Sequence, residues 1–364
     1  MTLQDEGRGE FAHLPRRSRW EIASRLLSWR RRFGDIQSDV LRFGIDREGG
    51  MDPSEVIAYD AFKAIRDASN RSLTGPGDFH YACLVEDKFV FAQFAEALGH
   101  PVPATLALIS ADGVEHLGPR RALEPLETLW DGETEWDAFC KPIAGQEGQG
   151  IFPLSVSNGE VHASGESVTP DQLASRLRGR SVVQERILQH PDLAAFHPPS
   201  INTLRIITIA TEDGPQPLTG VFRTGGGGST VDNYAQGGSI ARLDFDRGVV
   251  VGEGYTKGRG APAARHPDTG ASFDGFEIPF FETAVQAVCQ FHEDLYGFHS
   301  LGWDIAFSSD GPVIIEANDR WDGYLMILDP TAMPRYLEAL GIENPRTDRP
   351  APHRYRWARA LNHP

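Results

Sequence analysis

The stretch 301–319, L-G-W-D-I-A-F-S-S-D-G-P-V-I-I-E-A-N-D, constrains the fold more than any other part of the chain. Side chains alternate between the two faces of a strand. Trp303, Ile305 and Phe307 therefore share one face, and Asp304 and Ala306 the other. After the S-S-D-G turn, Val313, Ile315 and Ala317 share a face, and Ile314, Glu316 and Asn318 the opposite one. Two such strands form an antiparallel hairpin whose register decides which faces coincide. A three-residue loop, Ser309–Gly311, pairs Asp304 with Glu316 and brings the polar faces together. A two-residue Asp310-Gly311 loop sets Trp303 against the carboxylate face instead, so hydrophobic matching favours the longer loop, with Gly311 at positive φ. That register gathers Asp304, Glu316 and Asn318 at one point. Two carboxylates this close repel unless a cation lies between them. A few hard oxygen ligands, with room left for phosphate oxygens, suit Mg²⁺. The plainer alternative is the solvated face of an ordinary hairpin.

A metal–nucleotide site also needs cations and backbone donors for phosphate. Lys88 opens a helical segment after Glu86-Asp87, and Lys141 ends the strand F-C-K-P. The loop G-Q-E-G-Q-G (145–150) follows, with Gly148 and Gly150 able to bring backbone N–H groups close to phosphate. It is not a Walker loop, because no G-K-[ST] follows, and a plain hairpin turn fits it equally. The strand V-V-Q-E-R-I then places Gln184 and Glu185 at the end of an apolar run. There the backbone can read a base edge and a carboxylate can take a ribose hydroxyl.

Apolar periodicity places the remaining elements. A basic stretch around Trp20–Arg32 reads as a solvated helix face, with contact to an acidic partner the lesser reading. Helices are expected over Pro53–Ala68, with Pro in its first turn, and over Asp87–Leu98, stopped by Gly99. Strands are expected at Thr105–Ile109, Trp136–Pro142, Ile151–Val156 and Val182–Ile187, with a short helix at Pro170–Leu177. A linker near His190–Pro199 leads to strands at Thr203–Ala210, Pro217–Arg223, Ser239–Asp244 and Val249–Gly254. A helix over Phe280–Tyr296 precedes the hairpin, and one over Thr331–Leu340 follows it. This is an α+β chain with a mainly helical region at 1–86, a small lobe at 87–190 and a large lobe at 191–344. An irregular tail runs over 345–364.

Composition narrows the function. The formal net charge of −16 argues against broad contact with nucleic acid. No apolar run approaches the ~20 residues of a membrane span. Residues 1–32 lack an apolar core of the kind a secretory leader carries. The 3 cysteines, far apart, make neither a disulfide framework nor a zinc signature, so a reduced cytoplasmic protein is expected.

The order Lys, Lys, Gly loop, Glu, then Asp…Glu-x-Asn resembles the ATP-grasp superfamily over 87–318. N-T-L-R-I (202–206), G-V-F-R (220–223) and D-N-Y-A-Q-G-G (232–238) resemble the ribosomal-protein glutamate-adding ligases. Together with H-P-D-T-G (266–270) and G-W-D-I-A (302–306) they are similar to the sugar-transfer-associated ATP-grasp proteins. The resemblance implies an ATP-grasp fold of two α+β lobes, with Lys88 and Lys141 on ATP phosphates. Glu185 and the Arg186–Ile187 backbone would hold the nucleoside. Asp304, Glu316 and Asn318 would bind two Mg²⁺, for which Mn²⁺ can substitute. Arg205 and Arg223 would lie near the transferred phosphoryl group and Asn233 beside the metal. A carboxylate–amine ligase working through an acyl phosphate is implied, on small-molecule or peptide substrates, with polysaccharide, glycoconjugate or peptide biosynthesis as the associated setting. A phosphotransferase with a hydroxyl acceptor and a nucleotide-binding module without turnover are the rivals. Two departures stand out: residues 1–86 show no clear βαβ unit, and Gly302 occupies the place where the D-alanine ligase pattern has an Arg. The loop Lys257–Gly270, with Lys257, Arg259, Arg265 and His266, reads as an anion reader or a solvated loop.

Overall fold

A computed structural model describes residues 10–34, 36, 38–71, 81–117, 122–145, 149–229, 232, 234, 237–256, 261–295, 297–323, 325, 328–345 and 348. Gly148, Asn233, Lys257 and Arg259 lie outside the described residues, as does most of the tail. The chain divides into two compact units. The first takes in 1–81, 189–312 and 317–364, and the second 82–188 with 313–316.

The second unit is built on an eight-stranded sheet. Its strands are β1 (Thr105–Ser110), β2 (Gly113–His116), β3 (Leu123–Glu124), β4 (Trp136–Pro142), β5 (Phe152–Ser157), β6 (Glu160–Ala163), β7 (Glu166–Ser167) and β8 (Ser181–Glu185). Their order is β3-β2-β1-β8-β4-β5-β6-β7, with every adjacent pair antiparallel. One face carries the core: Ala138 and Cys140 of β4, Val183 of β8, and Leu154 and Val156 of β5 pack with Leu173. Alternation then sends Phe139 and Lys141 of β4, and Val182 and Gln184 of β8, to the other face. The register pairs Phe139 with Gln184 and Lys141 with Val182.

The first unit contains helices α1 (Arg19–Phe33) and α2 (Tyr59–Arg71). Two four-residue helices, α3 (Cys83–Glu86) and α6 (Pro191–Ala194), lie in the second and first units respectively. Helices α4 (Lys88–Leu98) and α5 (Pro170–Arg176) belong to the second unit, and α7 (Phe281–Asp294) and α8 (Ala332–Leu340) to the first. The remaining strands are β9 (Thr203–Thr211), β10 (Gly214–Thr224), β11 (Ser239–Asp244), β12 (Val249–Thr256), β13 (Ser300–Ser308) and β14 (Gly311–Asn318). They form a sheet in the order β12-β11-β10-β9-β13-β14. The pairs from β12 to β13 are antiparallel.

Alternation along β9 and β13 assigns the two faces of this sheet. On one, Trp303 packs on Phe291 of α7, with ring centroids 5.4 Å apart, and donates from Nε1 to Thr208 Oγ1 at 2.7 Å. On the other, Ile207, Ile209, Val221 and Ile240 bury against Phe62 and Ile65 of α2 and Tyr336 and Leu337 of α8, with Trp321 between. Asn70 at the end of α2 is buried and fully used. Its Oδ1 accepts from the His299 and Ser300 amides at 2.9 and 3.1 Å, and its Nδ2 donates to the Ser300 and Asp319 carbonyls at 3.2 and 2.9 Å.

One expectation needs correction. No helix begins at Pro53: Asp52 Oδ1 accepts from Ser54 N and Oγ, which closes a turn, and Val56, Ile57 and Ala58 enter the core as extended chain before α2 starts at Tyr59. Between the bounds of β13 and β14 lie Ser309 and Asp310. Gly311, at φ 141°, is already the first residue of β14, and Ser308 Oγ donates to its carbonyl at 3.3 Å.

Candidate active site

In the first unit, the expected residues meet at one end of a sheet face. Asp304 of β13 stands directly opposite Arg205 of β9, and Arg223 of β10 opposite Thr203, two residues back along β9. All point to the α2/α8 face, beyond the apolar rows that those helices cover. Arg205 grips Asp304 with two parallel bonds, Nε to Oδ1 and Nη2 to Oδ2, the latter 2.6 Å. Arg223 Nη1 donates to Asp304 Oδ1 at 3.0 Å, and its Nη2 to Asp232 Oδ1 at 3.1 Å. Thr203 Oγ1 donates to the other oxygen of Asp232. The array alternates in sign: Arg205, Asp304, Arg223, Asp232. Both arginines and both carboxylates are largely shielded from solvent, so these charge-assisted bonds fix the guanidinium planes. Burial raises the Asp232 carboxyl pKa, against the pull of Arg223 and the Thr203 hydroxyl. Asp232 is a residue for which the sequence reading had no role, although its place in V-D-N (231–233) was the available signal.

Gly302 is small for a packing reason. A Cβ there would lie 2.6 Å from Trp321 Cβ and 3.1 Å from Ile207 Cδ1. Trp321 fills that space, and an arginine could not. The positive charge near Asp304 therefore comes from the neighbouring strands.

Past β14, Asp322 accepts a hydrogen bond from the Tyr59 hydroxyl at the start of α2. The residue is exposed, yet the protein around it raises its carboxyl pKa by desolvation, against the opposing influence of Arg42, Arg205 and Arg66. The helical region before residue 82 thus contributes Arg42, Tyr59 and Arg66 to the surroundings of Asp322. Sequence reasoning missed these residues, because only tertiary packing, of α2 for Tyr59 and Arg66 and of the segment before it for Arg42, brings them to Asp322.

In the second unit, Lys88 begins α4, whose N-terminus is capped by Asp87 through bonds to the Phe89 and Val90 amides at 2.9 and 3.0 Å. Lys88 Nζ lies 3.7 Å from Glu316 Oε2 and donates to the Gly145 carbonyl at 3.2 Å, where the Gly-rich loop begins. Lys141 Nζ donates to Gln184 Oε1 at 2.9 Å. Desolvation lowers its pKa to about 8; Glu316 opposes that shift and Lys88 adds to it. Gln184 is thus a partner of Lys141 rather than only a strand-end residue. Glu185 is exposed, and its amide bonds the Ala104 carbonyl at 2.9 Å. The Arg186 amide bonds Asp137 O at 2.9 Å, and Ile187 follows, half-buried, beyond β8. Gly150, at φ 75°, packs on Pro142, where a Cβ would come within 3.1 Å of the ring.

Asn318 ends β14, in the first unit. Among the described residues, no three His, Cys, Asp or Glu side chains cluster as a ready-made metal cage. The donors available are carboxylate and amide oxygens.

Residues 78–338 match the family described as sugar-transfer associated ATP-grasp. No curated protein matches the sequence. Solved structures similar to it include an L-amino acid ligase from Bacillus licheniformis, at 12% identity over 79% of this chain and 50% of that one, with a TM-score of 0.40. N5-carboxyaminoimidazole ribonucleotide synthetase from Thermotoga maritima is 14% identical over 65% of this chain and 42% of that one, with a TM-score of 0.34. VanG D-Ala:D-Ser ligase from Enterococcus faecalis is 11% identical over 72% and 59%, with a TM-score of 0.39. The chain spans between 42% and 59% of the length of these three proteins. The family match takes in well over half of the chain, which has the ATP-grasp fold and belongs to the sugar-transfer associated ATP-grasp family.

Proposed function

We propose that the protein is an ATP- and Mg²⁺-dependent ligase that joins a carboxylate to an amine through an acyl phosphate. The observation that carries this reading is the pair of guanidinium groups, Arg205 and Arg223, converging on Asp304. An acyl phosphate and the carboxylate that forms it both need planar cationic donors held rigid before the reaction, and a carboxylate-locked arginine pair supplies them. Arg205 makes its bonds to Asp304 through Nε and Nη2, so Nη1 is the donor left to face a substrate oxygen.

Lys88 and Lys141, on one side of the second unit's sheet, are the groups we assign to ATP phosphates, with Glu185, Arg186 and Ile187 assigned to the nucleoside. The donor chemistry fits Mg²⁺. Asp304 and Glu316 bring carboxylate oxygens and Asn318 an amide oxygen, all hard donors. Asp304, Glu316 and Asn318 would hold the metal, which when bound would offset the charge on the phosphate oxygens.

In the first step, a substrate carboxylate oxygen attacks the γ-phosphorus and ADP departs. The arginine pair orients that carboxylate and then holds the acyl phosphate. In the second step, the amine nitrogen forms the C–N bond and the C–O bond to phosphate breaks, phosphate leaving with the electron pair. The incoming ammonium gives up its first proton to solvent before it attacks, and the second leaves with phosphate.

The test is an ADP-release screen of amino acids, amino sugars and short peptides, followed by the productive pair with ¹⁸O in the carboxylate. One ¹⁸O should appear in released phosphate. Unlabelled phosphate alongside accumulating product rejects the ligase, and phosphate retained on a hydroxyl acceptor establishes a phosphotransferase.

A further inference from the structure

Helix α1 has one side committed to the core and one side exposed. It is firmly built: Ser18 and Glu21 make a reciprocal capping box, and Gly34, at φ 87°, ends it. On the inner side Trp29 is fully buried, with ring centroids 4.7 Å from Phe33 and 5.8 Å from Phe43. Arg25 Nη2 donates to the Met51 carbonyl at 2.6 Å, and Arg32 Nη1 to that of Ser54.

The opposite side is different in kind. Trp20 is 87% exposed and Leu27 50% exposed. They lie seven residues apart, two turns along one stripe of the helix, with Ser24 between them. Arg31 continues the stripe, Arg19 and Arg30 border it along one side, and all three are exposed. Residues 16–32 hold seven arginines and one acidic residue, in a chain of net charge −16. Trp20 is the most exposed large apolar side chain among the described residues.

A projecting tryptophan offers no groove for a shaped protein partner. A soft, anionic, interfacial surface suits it better. Tryptophan favours the headgroup level of a bilayer, arginine pairs with lipid phosphate, and a basic amphipathic helix lies in that plane. The acidic remainder of the chain does not cancel the patch, because charges more than about 8 Å away are screened at physiological ionic strength.

We propose that the outer face of α1 is a peripheral docking surface for anionic phospholipid bilayers. Trp20 and Leu27 enter the headgroup region, and Arg19, Arg30 and Arg31 contact the phosphates. This places the enzyme at a membrane surface without a spanning segment, and it does not depend on the reaction proposed above.

The test uses the full chain and extruded vesicles in a sedimentation assay. Protein should pellet with phosphatidylcholine vesicles containing about 30% phosphatidylglycerol and stay in solution with phosphatidylcholine alone. Raising salt to about 0.5 M should release it. The double variant Trp20→Ala/Leu27→Ser should lower partitioning roughly tenfold or more, and Arg30→Glu/Arg31→Glu should abolish it. These side chains are exposed, so the urea midpoint should match the parent protein and separate loss of binding from loss of fold. Equal partitioning to neutral and anionic vesicles, or full binding by either variant, overturns the proposal. So does absence of vesicle binding together with a dimer in light scattering that Trp20→Ala/Leu27→Ser dissociates, since the face would then be a contact between two copies.

Discussion

At the scale of single residues, the site turns on how Arg205 is held. Its Nε and Nη2 match the two oxygens of Asp304, a fit that depends on the planar fork of a guanidinium. Arg205→Lys keeps the charge and loses the fork. The turnover number is expected to fall about 100-fold, on the scale of one lost electrostatic contact to the reacting group. ATP affinity should stay near the parent value, because Lys88 and Lys141 lie in the other unit. Steady-state kinetics with ATP titration separates the two effects, and an unchanged turnover number removes Arg205 from the chemistry. Lys141 gives a complementary expectation. Burial lowers its pKa to about 8, so it is mostly charged at neutral pH and loses its proton as pH rises further. If it meets phosphate, ATP affinity should decline above about pH 8. Lys141→Ala should weaken binding by roughly 1–3 kcal/mol at pH 7 and flatten that decline. Calorimetric titration at several pH values reads both. An ATP affinity untouched by the substitution would leave Lys141 as a partner of Gln184 alone.

At the scale of elements, the sequence carried some features plainly and others not at all. Helix α4 was legible because its start and stop are local: Asp87 caps it, and Gly99 takes the left-handed turn, at φ 79°. Strand β4 was legible because Trp136–Pro142 alternates. The start of α2 was not, since Pro53 suits a first helical turn as well as the Asp52–Ser54 turn it actually occupies. Charge pairing was the least legible. Asp304 and Arg205 are 99 residues apart, and only the β9–β13 register sets them opposite each other. Gly302 shows the same limit: its reason is Trp321, brought over the strand by the packing of α2 and α8. Gly302→Ala should therefore force a clash in a filled core and destabilise the first unit by roughly 1–3 kcal/mol. Urea denaturation measures this, and a midpoint equal to that of the parent would mean the Trp321 layer is loosely packed.

At the scale of the whole molecule, stability should depend on pH through a buried histidine far from the arginine array in its chemistry. His292 of α7 is fully buried against β9 and β13. Its Nε2 lies 3.0 Å from the Phe298 carbonyl, which can only accept, so Nε2 carries the proton. Its Nδ1, 2.7 Å from Thr208 Oγ1, then accepts from that hydroxyl, and Thr208 in turn accepts from Trp303 Nε1 at 2.7 Å. The chain of bonds is satisfied by one neutral tautomer. A second ring proton would face the Thr208 oxygen and break the order, in a place where burial already disfavours charge. Burial lowers the pKa of His292 to about 4 and that of neighbouring His299 to about 3, with His292 adding to the latter shift. In the unfolded chain both titrate near 6.5. Between about pH 6.5 and 4 the unfolded state therefore binds more protons than the folded one, and stability rises with pH. The contribution of His292 is complete above about 6.5 and is lost as pH falls toward 4, a change on the order of 3 kcal/mol. Asp232 and Asp322, with raised carboxyl pKa values, act in the opposite sense at the acid end and blunt the loss. Urea midpoints at pH 7, 6, 5 and 4.5 should fall steadily in the parent protein. His292→Gln, whose amide can bond both Thr208 and the Phe298 carbonyl without titrating, should show a shallower fall. Parallel pH curves for the two proteins would mean that His292 is not the group whose protonation opposes the fold.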